Sequence, residues 1–318
     1  MPGKAGPLRW VQYALEYAFV RALDAMVGVL PERMAVGAGK LLGRAFWLLS
    51  PFRRRVARRN IELAMPGERS RAEVNRLVRE VFVYIGLAAV ESLWSRKHVT
   101  KENIVERFAV DGVDATAAAV AAGGAMAFTP HLGNWELFGG CMAARLGGIS
   151  ALARPTNNPL VERYTTRLRE RMGIDVLSTR DGVRPMIAAL RAHRPLAILI
   201  DQHVNRAFVP VTFFGRPAAT TAVVASLALR MNVPVFAAYS LREGHSFRHH
   251  GYLEGPLELV RTGDADADVK ANTQRFNDRL EEIVRRNPEQ WLWTHRRWKL
   301  ADREDKANGK TGNSEAQK

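Results

Sequence analysis

The stretch Thr129-Pro130-His131-Leu132-Gly133-Asn134-Trp135-Glu136 carries an imidazole and a carboxylate five residues apart. Two residues so spaced on one helix lie about 140° apart around its axis and do not meet. The pair can cooperate only if His131 precedes a helix and Glu136 sits in its first turn. The flanking residues predict that arrangement. An apolar run over 125–128 has the length of a short buried strand, and Pro130 breaks it. Asn134 is a good N-cap, and 135–145 follows as a helix, whose positive end favours an ionised Glu136. The chemistry this predicts is general-base catalysis, with Glu136 fixing one His131 tautomer and stabilising the imidazolium. A buried histidine bonded to a capping glutamate, without chemistry, is the bland alternative. Gly133 and Asn134 between the two, and the polar strand ends downstream, favour function.

Those strand ends recur along the chain. Residues 196–200 form an apolar run between Pro195 and Asp201-Gln202-His203. Residues 149–153 run into Arg154-Pro155-Thr156-Asn157-Asn158-Pro159, where Asn158 and Pro159 suit an N-cap and a first helical position. The helix after them carries Val161, Tyr164, Leu168 and Met172 on one face and stops at Gly173. Further short strands are predicted at 175–179 and 234–240, with helices through Arg191 and over 222–230. This alternation predicts an α/β fold: a central, mostly parallel or mixed sheet flanked by helices. Ligands in such folds bind beyond the carboxyl ends of the strands. Residues 204–219, with Phe208, Phe213, Phe214 and a turn at Gly215-Arg216-Pro217, are expected to be a long loop walling the site.

Several residues are read as structural. The lone Cys141, beside Phe138 and Met142 on an apolar helix face, is a packed thiol and excludes an internal disulfide. A Cys141 thioesterase is the weaker alternative. His245, His249 and His250 lack cysteine partners and HExxH spacing, so they predict a basic surface hairpin and no metal site. Ser70-Arg71-Ala72-Glu73 is a capping box before a core stripe of Val74, Leu77, Val78, Val81, Phe82 and Ile85. Phe276, Leu280, Ile283 and Val284 mark a last amphipathic helix.

The 318 residues carry a net charge of +15, from 47 basic and 32 acidic side chains. That implies an anionic partner: nucleic acid, anionic lipid or an acidic protein. There is no helix-turn-helix, aromatic RNP strand or finger spacing, which argues against a nucleic-acid binder. Residues 10–30 and 35–49 predict amphipathic helices that either pack on a core or lie in a lipid interface, with packing favoured. Five arginines within 53–59 follow. Apolar helices beside a basic cluster are a two-signal device for anionic lipid. Glu16, Arg21 and Asp24 interrupt 10–30, short of the roughly 20 uncharged residues of a span. Peripheral attachment without a cleavable signal peptide is therefore expected.

Five blocks, in order, resemble a known family: the His131–Glu136 block; Arg154-Pro155 with Asn158-Pro159; Asp201-Gln202; Phe213-Phe214-Gly215-Arg216-Pro217-Ala218; and Pro288-Glu289-Gln290-Trp291-Leu292-Trp293-Thr294-His295-Arg296-Arg297-Trp298-Lys299. Together they are similar to the lipid A biosynthesis (lauroyl/myristoyl) acyltransferases and the related phosphatidylinositol mannoside acyltransferase, within the wider HxxxxD/E glycerolipid acyltransferases. The resemblance implies transfer of a fatty acyl group from an acyl carrier protein or CoA thioester to a hydroxyl of a membrane glycolipid, a lipid A precursor first. An inositol mannoside, a lysophospholipid or an aminolipid stays open as acceptor. It implies catalytic roles for His131, Glu136, Asp201 and Arg169, with either carboxylate able to serve the histidine. First-turn amides after Gly133, or Arg169, are the candidate oxyanion donors. Arg154, Asn134, Arg216, Arg296 and Arg297 are the candidate substrate contacts. No cofactor, metal or nucleic acid is expected. The implied layout is membrane-associating helices over 1–60, an acyltransferase domain over 61–300 and a disordered tail over 301–318, on the cytoplasmic face of a bacterial inner membrane.

Overall fold

The structure, a computed structural model, describes residues 6–307. Four helices come first: α1 (Pro7–Gly28), α2 (Glu32–Leu49), α3 (Pro51–Ala64) and α4 (Arg71–His98). The capping box is present, with Ser70 N–H donating to the Glu73 carboxylate at 2.8 Å and Glu73 N–H donating to Ser70 Oγ at 3.3 Å. α2 packs against α4 backbone to backbone. A Cβ on Gly43 would sit 2.4 Å from the Phe82 carbonyl oxygen, and one on Gly86 would sit 2.3 Å from that of Gly39. Away from that contact α2 exposes Met34, Leu41, Leu42, Leu48 and Leu49, and α1 exposes Leu8, Val11, Leu15, Phe19 and Met26. The expected packing of these helices therefore holds for one face of α2. α1 buries Tyr13, Val27 and Gly28 alone; Val27 joins the apolar cluster with Val83, Leu87, Val90 and Trp94 of α4, and further tethers are polar. Asn158 Nδ2 donates to Tyr13 O at 3.0 Å, and Asp24 accepts from Arg96 at 2.6 Å and from the Tyr164 hydroxyl. Among the described residues no helix is long and apolar enough to cross a membrane.

The rest alternates strand and helix: β1 (Phe108–Asp111), α5 (Val113–Gly123), β2 (Met126–Thr129), α6 (Trp135–Arg145), β3 (Ile149–Ala153), α7 (Pro159–Arg171), β4 (Ile174–Ser178), α8 (Arg184–Arg191) and β5 (Leu196–Leu199). Then come β6 (Phe208–Phe213), β7 (Arg216–Thr221), α9 (Val223–Met231), β8 (Val235–Arg242), β9 (His249–Glu254), α10 (Ala265–Arg286) and α11 (Lys299–Ala307). The main sheet has seven strands in the order β1-β9-β8-β2-β5-β3-β4. β8, β2, β5, β3 and β4 run parallel, while β9 and β1 run the other way. Both faces are covered. Met126 and Phe128 of β2 enter one core and Ala127 packs on the other, as period-two alternation in a doubly covered sheet requires.

Three expectations are corrected. The long loop over 204–219 is largely the hairpin β6–β7. Its turn residues Phe214 and Gly215 both have positive φ, 51° and 67°, the conformation of a tight primed hairpin turn. Pro210 and Pro217 disguised these strands. Phe213 is fully buried against Trp291 and Trp298, so the hairpin packs on the core, while Val204 and Asn205 ahead of it do wall the cavity described below. The chain after Lys299 is helical through Ala307, with Asp302 accepting from Arg59 at 2.8 Å; residues 308–318 lie outside the described residues. The β8–β9 hairpin exists, but His249 on it is buried, not surface.

Candidate active site

β2 and β5 are parallel neighbours with Thr129 opposite Leu199. Two residues further on, each strand delivers its polar side chain: His131 from one and Asp201 from the other. His131 Nδ1 lies 2.7 Å from Asp201 Oδ1. Asp201 Oδ2 accepts from His131 N–H at 2.7 Å and from Trp291 Nε1 at 2.8 Å. Burial, at 2% exposure, pushes the Asp201 carboxyl up, but the His131 imidazole and these donors outweigh it and hold the group below its ordinary range. An ionised Asp201 accepts a hydrogen bond from Nδ1–H, so His131 Nε2 keeps its lone pair, the tautomer a general base needs. Gln202 Nε2 lies 3.2 Å from that nitrogen and donates to it. The Trp135 ring meets the imidazole edge-on at 4.8 Å.

Glu136 is not the partner of His131. It lies in the first turn of α6 as expected, but points toward α7. Arg169 holds it bidentately, Nε to Oε2 at 3.0 Å and Nη2 to Oε1 at 2.5 Å. The reason is the turn itself. Gly133 bends at φ 60°, and a Cβ there would sit 2.3 Å from Ser240 O. His131 is left behind beside β5, while α6 carries Glu136 away from it.

His131, Glu136 and Arg169 border one cavity of about 630 Å³, with Arg154 and Gln202 also in its wall. Its floor is a row of small residues in register across three strands: Ala127 opposite Ala197, and Ala197 opposite Ala151. Phe138 and Met142 of α6 and Ile149 complete an apolar lining. Small floor residues leave space beneath α6 that larger side chains would fill. A volume in this range suits a small molecule or a hydrocarbon chain.

The other sequence candidates are placed elsewhere. Asn134 is 2% exposed. Its Oδ1 caps α6 by accepting Leu137 N–H at 3.3 Å, and its Nδ2 donates to Glu91 at 2.8 Å. It therefore has no face for substrate. Arg297 is fully buried, donating to Gln202 O, Ala219 O, Thr220 Oγ1 and Asn277 Oδ1, and burial lowers its guanidinium to about 10. Its donors brace the site from behind. Arg296 is exposed over the Phe52 ring, and Arg216 starts β7; neither lines the cavity. Cys141 is buried.

Sequence reasoning missed the support beneath the turn. Glu91 of α4 is 1% exposed. It accepts from Asn134, from His249 Nε2 at 2.9 Å and from Arg242. Burial raises the Glu91 carboxyl, but His249, Arg242 and the hydrogen bonds bring it below its ordinary range. The segment after α10 clamps the turn from the other side: Leu292 N–H donates to His131 O and Gly133 N–H to Gln290 O, both at 3.2 Å. No short-range pattern marked Glu91 or His249. Trp291 did lie within a block already singled out.

The chain is 30% identical over 199 residues to a phosphatidylinositol mannoside acyltransferase of Mycobacterium tuberculosis, covering 61% of this chain and 60% of that relative. It is 28% identical over 260 residues to the lipid A biosynthesis palmitoleoyltransferase of Escherichia coli K12, covering 78% and 80%. To the lauroyltransferase of the same strain it is 26% identical over 275 residues, 84% of each chain. The match thus spans about three fifths of the mycobacterial relative. The profile of the bacterial lipid A biosynthesis acyltransferases matches residues 1–300, and the chain belongs to that family.

Proposed function

We propose that this protein transfers a fatty acyl group from a thioester, on acyl carrier protein or CoA, to a hydroxyl of a membrane glycolipid. The observation that carries this is His131, held by Asp201 so that Nε2 is the accepting nitrogen, at the border of an apolar cavity of about 630 Å³. The acyl chain lies along the alanine floor and the thioester carbonyl stands near His131. Nε2 removes the acceptor hydroxyl proton as the oxygen attacks, and Asp201 stabilises the imidazolium. General-base help of this kind contributes about 10²–10⁴ in rate. Glu136 and Arg169, locked together in the cavity wall, position the reacting groups, and Arg154 at the border meets an anionic part of a substrate. The first acceptor to test is a lipid A precursor, because its family profile spans 1–300. The mycobacterial relatives make an inositol mannoside the second.

The net charge of +15 suits an acidic carrier protein and an anionic membrane face. With the exposed apolar residues of α1 and α2, it supports peripheral attachment to the cytoplasmic face of the inner membrane. The arginine run is partly committed to the fold, since Arg53 donates to Thr294 O and Arg59 pairs with Asp302.

The test is transfer of label from radiolabelled acyl carrier protein, with acyl-CoA in parallel, to lipids extracted from cells lacking the protein. His131→Ala is expected to abolish transfer. Turnover at the unaltered rate would end the proposal. Mass spectrometry of lipids from cells with and without the protein then identifies the acceptor.

A further inference from the structure

We propose that the side-chain amide of Gln202 stabilises the oxyanion formed at the donor carbonyl, an inference that rests on His131 being the base. Gln202 follows Asp201 at the end of β5. Its backbone carbonyl is pinned by Arg297 Nη1 at 3.1 Å, and its side-chain Nε2 lies 3.2 Å from His131 Nε2. Because Nδ1–H of His131 is given to Asp201, Nε2 is the acceptor in this contact and the amide is the donor. The amide therefore occupies the place an acceptor hydroxyl must take to hand over its proton.

Two consequences follow from that placement. A hydroxyl docking on Nε2 displaces the amide by about one hydrogen-bond length, about 3 Å. The amide then stands beside the attacking oxygen and the carbonyl it attacks. Proton arrival at Nε2 also changes the sign of the contact. An imidazolium donates from both nitrogens, so the Gln202 amide then faces another donor and its N–H is released. That release coincides with the appearance of negative charge on the carbonyl oxygen.

The step balances. The hydroxyl oxygen forms a bond to the carbonyl carbon, the carbonyl π pair moves to oxygen, and the hydroxyl proton goes to Nε2. On collapse the carbonyl re-forms and the C–S bond breaks with its pair on sulfur. The Nε2 proton passes to the thiolate, and Gln202 rebinds neutral His131.

Some of the rival donors are already engaged. Arg169 gives Nε and Nη2 to Glu136, and Leu137 N–H is given to the Asn134 cap. Gln202 is the side-chain donor that already touches the base.

The test uses the full chain, with radiolabelled myristoyl–acyl carrier protein and myristoyl-CoA in parallel as donors and extracted lipid as acceptor. Gln202→Met keeps the length and removes the donor; Gln202→Glu keeps the shape and replaces the donor by an acceptor. Both are expected to lower turnover by about 10²–10³, the scale of one lost oxyanion donor, with the donor KM within about threefold. The thermal midpoint should hold, because the bond to Arg297 uses the backbone. If Gln202→Met keeps more than about a tenth of the turnover while His131→Ala is inactive, the amide has no oxyanion role and the base assignment stands. A loss confined to KM would make Gln202 a binding group and overturn the inference. Full turnover in His131→Ala would remove both. Should Gln202→Met fail to fold, Gln202→Glu is judged by the same criteria.

Discussion

His131 and Asp201, seventy positions apart in the chain, meet at 2.7 Å because β2 and β5 run parallel in register. The Asp201→Asn variant should therefore fold and fail. Its amide oxygen can still accept from Trp291 and from His131 N–H, but its NH₂ would donate to Nδ1 and force the ring proton onto Nε2, the nitrogen that must accept. Turnover is expected to fall by about 10³–10⁴, the scale reported when the aspartate of a catalytic triad becomes an amide. Transfer assays beside a thermal melt check it, and a rate within tenfold of the unaltered enzyme would refute the tautomer argument.

His295 predicts a stability change in mild acid. Burial pushes its imidazole down to about 4 from 6.5, with nearby Lys299, His131 and Arg297 adding to the effect and Asp201 opposing it. Its Nε2 accepts His203 N–H at 3.1 Å, which only the neutral ring can do. Between pH 6.5 and 4 the unfolded chain binds the proton and the folded chain does not, so stability falls as pH falls through that window, by about 2 kcal/mol at pH 5. In His295→Gln the melting temperature should change less between pH 7 and pH 5 than in the unaltered protein. Equal slopes would contradict this account.

Glu91 compensates a guanidinium that is 3% exposed. Glu91→Gln keeps the shape and leaves the Arg242 charge buried without its carboxylate, an arrangement that costs about 3–5 kcal/mol. Melting should drop by several degrees. The sign with pH also follows. Glu91 titrates below its ordinary range when folded, so its contribution is complete above the unfolded value near 4.3 and drains away as pH falls toward the folded one.

The alanine floor predicts chain-length control. Ala197→Leu places a branched side chain between the sheet and α6, and should lower use of a C14 thioester relative to a C10 one by at least about tenfold, since a methylene or two of misfit is worth that much. Competition between the two labelled donors checks it. An unchanged ratio would show that the acyl chain lies elsewhere.

Local signals in the sequence carried far, and long-range ones did not. Asn134, Asn158 and Ser70 cap the helices they were expected to cap, because capping depends on residues within three or four positions. The strand before His131 and the apolar run before Asp201 were both legible. That the two runs are neighbours depends on sheet order, which no local pattern encodes, and so Glu136 looked like the nearer partner. β6 and β7 were hidden by Pro210 and Pro217, residues that ordinarily speak against a strand. His249 looked exposed because the carboxylate that receives it, Glu91, lies on a helix more than a hundred residues earlier.

The clamp supplied by residues 290–297 also fixes when the enzyme can exist. During synthesis β2 and β5 emerge long before Trp291, Leu292 and Arg297, which hold Asp201, the His131 carbonyl and Gln202. A nascent chain halted short of them would carry the histidine and its aspartate without their bracing. Translation must pass residue 297 before a competent enzyme leaves the ribosome.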